Sequence, residues 1–319
     1  MEEEVPVAPR QHRGASGQLK QIAAVSGKGG TGKTTITASF AALAHDIVIA
    51  DCDVDAPDLH LLLHPQIIET QEFKGSKLAV IGKTKCVECG LCRESCRFDA
   101  IDKDFQVDPF LCEGCGVCAV VCPEEAISLK ERISGYAFIS KTKYGTISHA
   151  RLNPGEANSG KLVTLVRHNA RQIAEKENRG LILIDGPPGI GCPVIASLSG
   201  VDVGFAVAEP TMSGIHDLER ALQLLKHFHV TPFVCINMYD INVNNTERIV
   251  KFCEKNKVEV AGKIPFDTIV TEAMVAGETV VEYSPDSRVS QEIKTAWKRV
   301  LVALNRGEFN AHRVKHRTV

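Results

Sequence analysis

Val25-Ser26-Gly27-Lys28-Gly29-Gly30-Thr31-Gly32-Lys33-Thr34-Thr35 follows a short β-prone run, Gln21–Val25, and opens a small-residue helical stretch, Thr34–Ala44. From Gly27 to Thr34 it fits the pattern G-x-x-x-x-G-K-[ST]. Glycines let backbone N–H groups curl around phosphate oxygens, and a helix N-terminus adds a favourable dipole. Lys33 is then placed to reach the β- and γ-phosphates, and Thr34 to put its hydroxyl on Mg²⁺. Gly27, Gly29, Gly30, Thr31, Gly32 and Thr35 complete the expected cradle. A mere Gly-rich turn would not explain Lys33-Thr34 at the mouth of a helix.

Two acidic stretches extend this reading. Leu181-Ile182-Leu183-Ile184 is followed by Asp185-Gly186-Pro187-Pro188-Gly189, four apolar residues and then an Asp. Asp185 is expected to hold Mg²⁺ through water, and Gly186–Gly189 to act as a switch loop sensing the γ-phosphate. Ile47–Ala50 ends in Asp51-Cys52-Asp53-Val54-Asp55-Ala56-Pro57. Carboxylates at a strand's C-terminal end can position water or support Mg²⁺; Asp55 and Asp58 read as solvated loop acids.

The rest of the chain alternates apolar strands with amphipathic helices. Strands are expected at Val203–Ala208, Phe233–Ile236 and Val258–Ile264. Helices are expected at Leu162–Lys176, Ile215–Phe228, Thr246–Lys255 and Val289–Leu304, with Val194–Leu198 also helical. Tyr136–Ser140 and Thr146–Ala150 flank a Tyr-Gly turn and predict a hairpin. This rhythm implies a mostly parallel, doubly wound α/β sheet covered on both faces.

The chain has 319 residues, 44% hydrophobic and 24% charged, and a formal net charge of −2. That is a globular composition, which excludes wholesale disorder. The near-neutral balance argues against a dedicated nucleic-acid binder. The apolar runs are too short to span a bilayer. The last helix carries an apolar stripe of core-packing width, and the basic tail after it has few large apolar residues, so membrane anchoring is not expected. The start, Met1–Gln18, lacks an apolar signal core, and the chain is expected to be cytoplasmic.

Eight of the twelve cysteines lie between Cys86 and Cys122. Their spacing is Cys86-x2-Cys89-x2-Cys92-x3-Cys96, then Cys112-x2-Cys115-x2-Cys118-x3-Cys122-Pro123. This is the bacterial ferredoxin run written twice, in which the fourth Cys of each run ligates the other cube. The spacing assigns Cys86, Cys89, Cys92 and Cys122 to one [4Fe–4S] cluster. Cys112, Cys115, Cys118 and Cys96 then hold the second. Zinc is the alternative for any C-x-x-C pair. Arg97 stands where proline is expected after Cys96. Cys52, Cys235 and Cys253 read as small core residues.

The run Lys28–Thr34 resembles the deviant Walker A motif of MinD/Mrp-type ATPases, a group that includes ParA and the nitrogenase iron protein. The resemblance implies a homodimer with ATP at the interface, Lys28 crossing to the partner subunit's nucleotide; the bland alternative is a solvated loop lysine. It implies that Asp53 orients the attacking water beside Lys28 and Lys33, with Asp51 beside the metal. It implies that Asn237 and Pro265 meet the base; ordinary strand-end residues are the other reading. The nitrogenase iron protein carries a cluster cysteine at the offset of Cys192, so Cys192 is either a metal or redox residue or a bland one at the start of a helix.

Together these readings predict the following organisation. A tail covers 1–19, a P-loop ATPase domain covers 20–82 and 131–304, and a small α+β ferredoxin-like domain is inserted at 83–130. A basic tail covers 305–319. The implied cofactors are ATP, Mg²⁺ and two [4Fe–4S] clusters. The leading expectation is ATP turnover that gates electron delivery to a redox partner. The alternatives are an iron–sulfur or metallocofactor assembly ATPase, and a positioning or partitioning ATPase whose clusters are structural.

Overall fold

The computed structural model describes residues 19–44 and 47–306. The expected tails therefore lie almost wholly outside the described residues. In chain order the strands are β1 (Lys20–Ser26), β2 (Ile47–Asp51), β3 (Gln66–Phe73), β4 (Ser76–Ile81), β5 (Ile127–Arg132), β6 (Gly135–Thr142), β7 (Gly145–Leu152), β8 (Leu181–Pro188), β9 (Val203–Ala208), β10 (Thr231–Asn237) and β11 (Glu259–Ile264). The helices are α1 (Lys33–Ala44), α2 (His60–Leu63), α3 (Leu91–Glu94), α4 (Val117–Val120), α5 (Ser159–Lys176), α6 (Cys192–Leu198), α7 (Met212–His227), α8 (Val243–Lys255), α9 (Ile269–Ala276), α10 (Val280–Tyr283) and α11 (Arg288–Arg306).

Nine strands form one sheet in the order β11-β10-β9-β1-β8-β2-β7-β6-β3. It is parallel from β11 to β7. The predicted hairpin then reverses direction, and β3 pairs antiparallel to β6 at the edge. The central strands are apolar on both faces, as burial from both sides demands. Successive residues feed opposite layers: Ile22, Leu181 and Leu183 pack with α1 and α11, whereas Ala23, Ile182 and Ile184 pack with α5 and α7. In the first layer Phe40 sits 4.9 Å from the ring of Phe205 and 4.8 Å from that of Trp297. The apolar stripe of α11, with Val289, Ile293, Trp297 and Val300, is buried in that core. Cys52, Cys235 and Cys253 are buried as well. Among the described residues, no helix is long and apolar enough to cross a membrane.

β4 and β5 pair with each other, antiparallel, outside the main sheet. Between them run the eight clustered cysteines and the single-turn helices α3 and α4, over a small core containing Ala79, Cys92, Ile101, Cys112 and Ile127. The two cysteine runs repeat in backbone as well as in sequence. Gly90 and Gly116 both have φ +84°, Glu88 and Gly114 have φ +58° and +64°, and Asp99 and Glu125 have φ +50° and +47°. Each of these pairs is offset by 26 residues, as are the paired cysteines.

Candidate functional site

Parallel strands deliver their C-terminal ends to one rim, and there β1, β2 and β8 bring the phosphate-loop residues and the acids together. Asp51 stands opposite Asp185 in the register of β2 and β8. Lys33 Nζ donates to Asp185 Oδ1 at 2.7 Å, and Thr34 Oγ1 donates to Asp185 Oδ2 at 2.8 Å. Both Lys33 and Asp185 are buried. The Thr37 hydroxyl lies 3.0 Å from Asp185 Oδ1. Thr37 lies outside the loop motif, and its position one helical turn after Lys33 is the signal in the sequence that points to it.

Burial, reinforced by the neighbouring Asp185 charge and opposed by Lys33, holds the Asp51 carboxyl well above the usual range. Asp53 is pushed up to about 6, again mainly by burial. The backbone N–H of Asp53 donates to Asp51 Oδ1 at 3.1 Å. Three carboxylates and one lysine in a desolvated niche fit a divalent cation with oxygen ligands. The Thr31 hydroxyl is buried without a partner at the loop's centre, a donor suited to a phosphate oxygen.

A cleft of about 620 Å³ runs from Lys33 and Thr34 past Asp53 to Asn237, Pro265 and Phe266. Asn237 also braces the loop itself: its Nδ2 donates to the Thr31 carbonyl at 2.9 Å. A Cβ on Gly32 would stand 2.3 Å from that nitrogen, and Gly32 has φ +84°, so only glycine fits there. At Gly27 a Cβ would come 2.3 Å from Asp217 Cβ, which lets the loop lie against α7.

Lys28 is engaged inside its own chain. Its Nζ is 2.5 Å from Glu209 Oε1 and donates to Ser213 Oγ at 3.1 Å. Glu209 follows β9 and accepts from Thr211, whose hydroxyl caps α7 through Gly214 N–H. Nothing local in the sequence marks Glu209, which lies 181 residues away from Lys28.

The cysteine unit encloses two hollows. One is lined by Cys86, Cys89, Cys92 and Cys122. The other is lined by Cys112, Cys115 and Cys118 together with Cys96. Backbone N–H groups of Ala100 and Ala126 donate to Cys96 Sγ and Cys122 Sγ at 3.4 and 3.3 Å. Cys89 and Cys115 are exposed. Among the described residues, no group of three His, Cys, Asp or Glu side chains is gathered for a single metal ion. Cys192 is exposed at the start of α6, against Gly160 at the start of α5.

A model of the CobQ/CobB/MinD/ParA nucleotide binding domain matches residues 22–280. An uncharacterised protein of Methanocaldococcus jannaschii, MJ0578, is 34% identical over 287 residues, covering 89% of this chain and 97% of that one. An iron-sulfur cluster carrier protein of Pyrococcus abyssi is 24% identical over 294 residues, covering 86% and 83%. The structure of the septum site-determining protein MinD of Pyrococcus horikoshii, complexed with Mg-ADP, shares the fold. Its TM-score is 0.55 at 17% identity, covering 90% of this chain and 99% of that one.

Proposed function

Because the chain belongs to the CobQ/CobB/MinD/ParA nucleotide-binding family, we propose that it is a dimeric, Mg-ATP-dependent ATPase that couples nucleotide state to electron transfer. The eight clustered cysteines would hold two [4Fe–4S] clusters, which when bound would supply the redox centres for delivery to a partner protein. The observation that carries this reading is the pair of cysteine hollows on the same chain as a phosphate loop. Each hollow takes three thiols from one run and the fourth from the other, which is the ligand exchange expected of a two-cube module. A zinc ion would draw its four thiolates to about 2.3 Å; two four-cysteine hollows joined by exchange of their fourth cysteines suit two cubes better, and support reading 83–130 as a ferredoxin-like insertion.

On the ATPase side, Lys33, now on Asp185, would reach the β- and γ-phosphates, and Thr34, Asp51 and Asp185 would hold Mg²⁺. The metal, when bound, neutralises charge on the phosphates. Gly27 to Thr35 cradle the phosphates, with the Thr31 hydroxyl gaining a partner. Asp53, ionised, orients the attacking water. Asn237 and Pro265 line the base end. Lys28 exchanges Glu209 for the nucleotide of the partner subunit when two copies meet.

A second reading, iron–sulfur cluster assembly or carriage, is favoured by one feature: Cys89 and Cys115, one in each hollow, are exposed. The likeness to a cluster carrier protein supports it too. Anaerobic purification with iron and sulfide counting tests both readings, followed by reductive titration with and without Mg-ATP. About eight irons per chain, retained against an apo-acceptor and reduced at an ATP-dependent potential, support electron transfer. Clusters that pass to the acceptor support carriage, and iron-free protein sinks both.

A further inference from the structure

Resting on the ATPase reading above, we propose that the segment from Leu152 to Gly160 is the transmission between nucleotide site and cysteine unit, with Glu156 as its positioning residue. Both loops that would sense nucleotide touch this segment. From the loop after β2, the Val54 carbonyl accepts from Leu152 N–H at 3.1 Å, one residue from Asp53. Just past the loop after β8, Cys192 at the start of α6 lies beside Gly160, where an added Cβ would meet Cys192 Cβ in ordinary contact at 3.4 Å. The two contacts enclose a short connection between β7 and α5.

That same connection holds the root of the cysteine unit. Asn153 N–H donates to the Ser134 carbonyl at 2.9 Å, and its side chain donates to the Ile133 carbonyl at 3.1 Å. Glu156 grips both strands that leave for the unit. Oε1 accepts from Arg132 Nε at 2.8 Å on β5, and Oε2 accepts from Ser76 Oγ at 2.9 Å on β4. Arg132 in turn donates to Ser76 Oγ at 3.0 Å and to the Pro109 carbonyl, three residues before Cys112. Arg132 and Glu156 are mostly buried, with side-chain exposures of 19% and 10%. One carboxylate thus bridges the two strands, with a charge-assisted bond to β5 and a hydroxyl bond to β4. A shift of either nucleotide-sensing loop therefore reaches β4 and β5 chiefly through the Glu156 carboxylate, the one side chain of this connection that holds both strands, with Asn153 fixing the residues just after β5.

Amide hydrogen exchange on the purified full chain, with and without Mg-ATP, tests this without reading the clusters. Mg-ATP should slow exchange in 27–35 and also change it in 76–81 and 127–132. In Glu156→Ala the first effect should persist at full size and the second should fall at least fivefold. Arg132→Ala should do the same, and the double variant should lose no more than either single one. Ser76→Ala, which spares the ion pair, should keep part of the response. An equal rise in exchange with and without Mg-ATP, leaving the nucleotide difference intact, makes Glu156 a brace only and overturns the proposal. So does a wild-type protein that protects 27–35 with no response in the strands. Absence of protection at 27–35 would instead strike the ATPase reading itself.

Discussion

Asp51 and Asp185 face each other across β2 and β8, with Lys33 bound to the second and no cation bonded to the first among the described contacts. Such a pair is electrostatically frustrated until a divalent ion enters. In the protein free of nucleotide and Mg²⁺, the raised Asp51 carboxyl stabilises the fold fully below its unfolded value near 4. That contribution is lost as pH rises through the higher folded value. Asp51→Asn removes the loss. It should be more stable than the parent by about 1–3 kcal/mol at pH 8, with the difference narrowing toward pH 5. Urea unfolding followed by Trp297, the single tryptophan, measures it.

Burial pushes the Asp53 carboxyl up to about 6, and its ionised form is the stronger acceptor for a water in the orienting role. ATPase kcat/KM should therefore rise with pH along a limb centred near 6. Asp53→Asn should lose both the limb and most of the activity. A flat acid profile in the parent would remove Asp53 from that role.

Lys28 is tied to Glu209 in its own chain but, in the proposed dimer, acts across the interface. Lys28→Ala should bind ATP within about threefold of the parent, since Lys33 and the cradle are intact. Hydrolysis should fall by about 10³-fold, the scale of a lost cationic finger. Equilibrium nucleotide binding set beside phosphate release separates the two effects.

The exchanged fourth cysteines make a double variant informative. Cys96→Ala with Cys112→Ala removes two ligands of one hollow, so about four irons should remain per chain. Were each run to ligate its own cube, the same variant would damage both, and iron counting would find little left.

Gly90 and Gly114 both have positive φ, but a Cβ at Gly114 would sit 2.2 Å from the Lys77 carbonyl, against 3.9 Å for the nearest atom at Gly90. Gly90→Ala should cost about 1–2 kcal/mol from conformation alone. Gly114→Ala should cost clearly more, by displacing β4, and should release iron at lower urea.

Motifs and central strands were legible in the sequence because their determinants are local. A glycine loop between strand and helix, four aliphatics ending in Asp185, and cysteines at fixed intervals each announce themselves within a dozen residues. β3 did not: Gln66–Glu72 is exposed throughout, so no apolar alternation marks it, and only pairing with β6 makes it a strand. The helices α9 and α10 are short; α10 is buried against α11, and α9 packs on α10. Glu209 and Glu156 were invisible for another reason. Their partners lie far off in the chain, and a glutamate in a loop has no pattern until the fold closes around it.

Phe73 and Gly135 are register partners on β3 and β6, so the chain leaves for the cysteine unit and returns at adjacent points on the sheet's rim. The unit hangs from the sheet's rim at this one crossing, steadied from the side by Glu156 and Asn153. Trimming 74–134 to a tight turn should leave the remaining sheet a self-sufficient body.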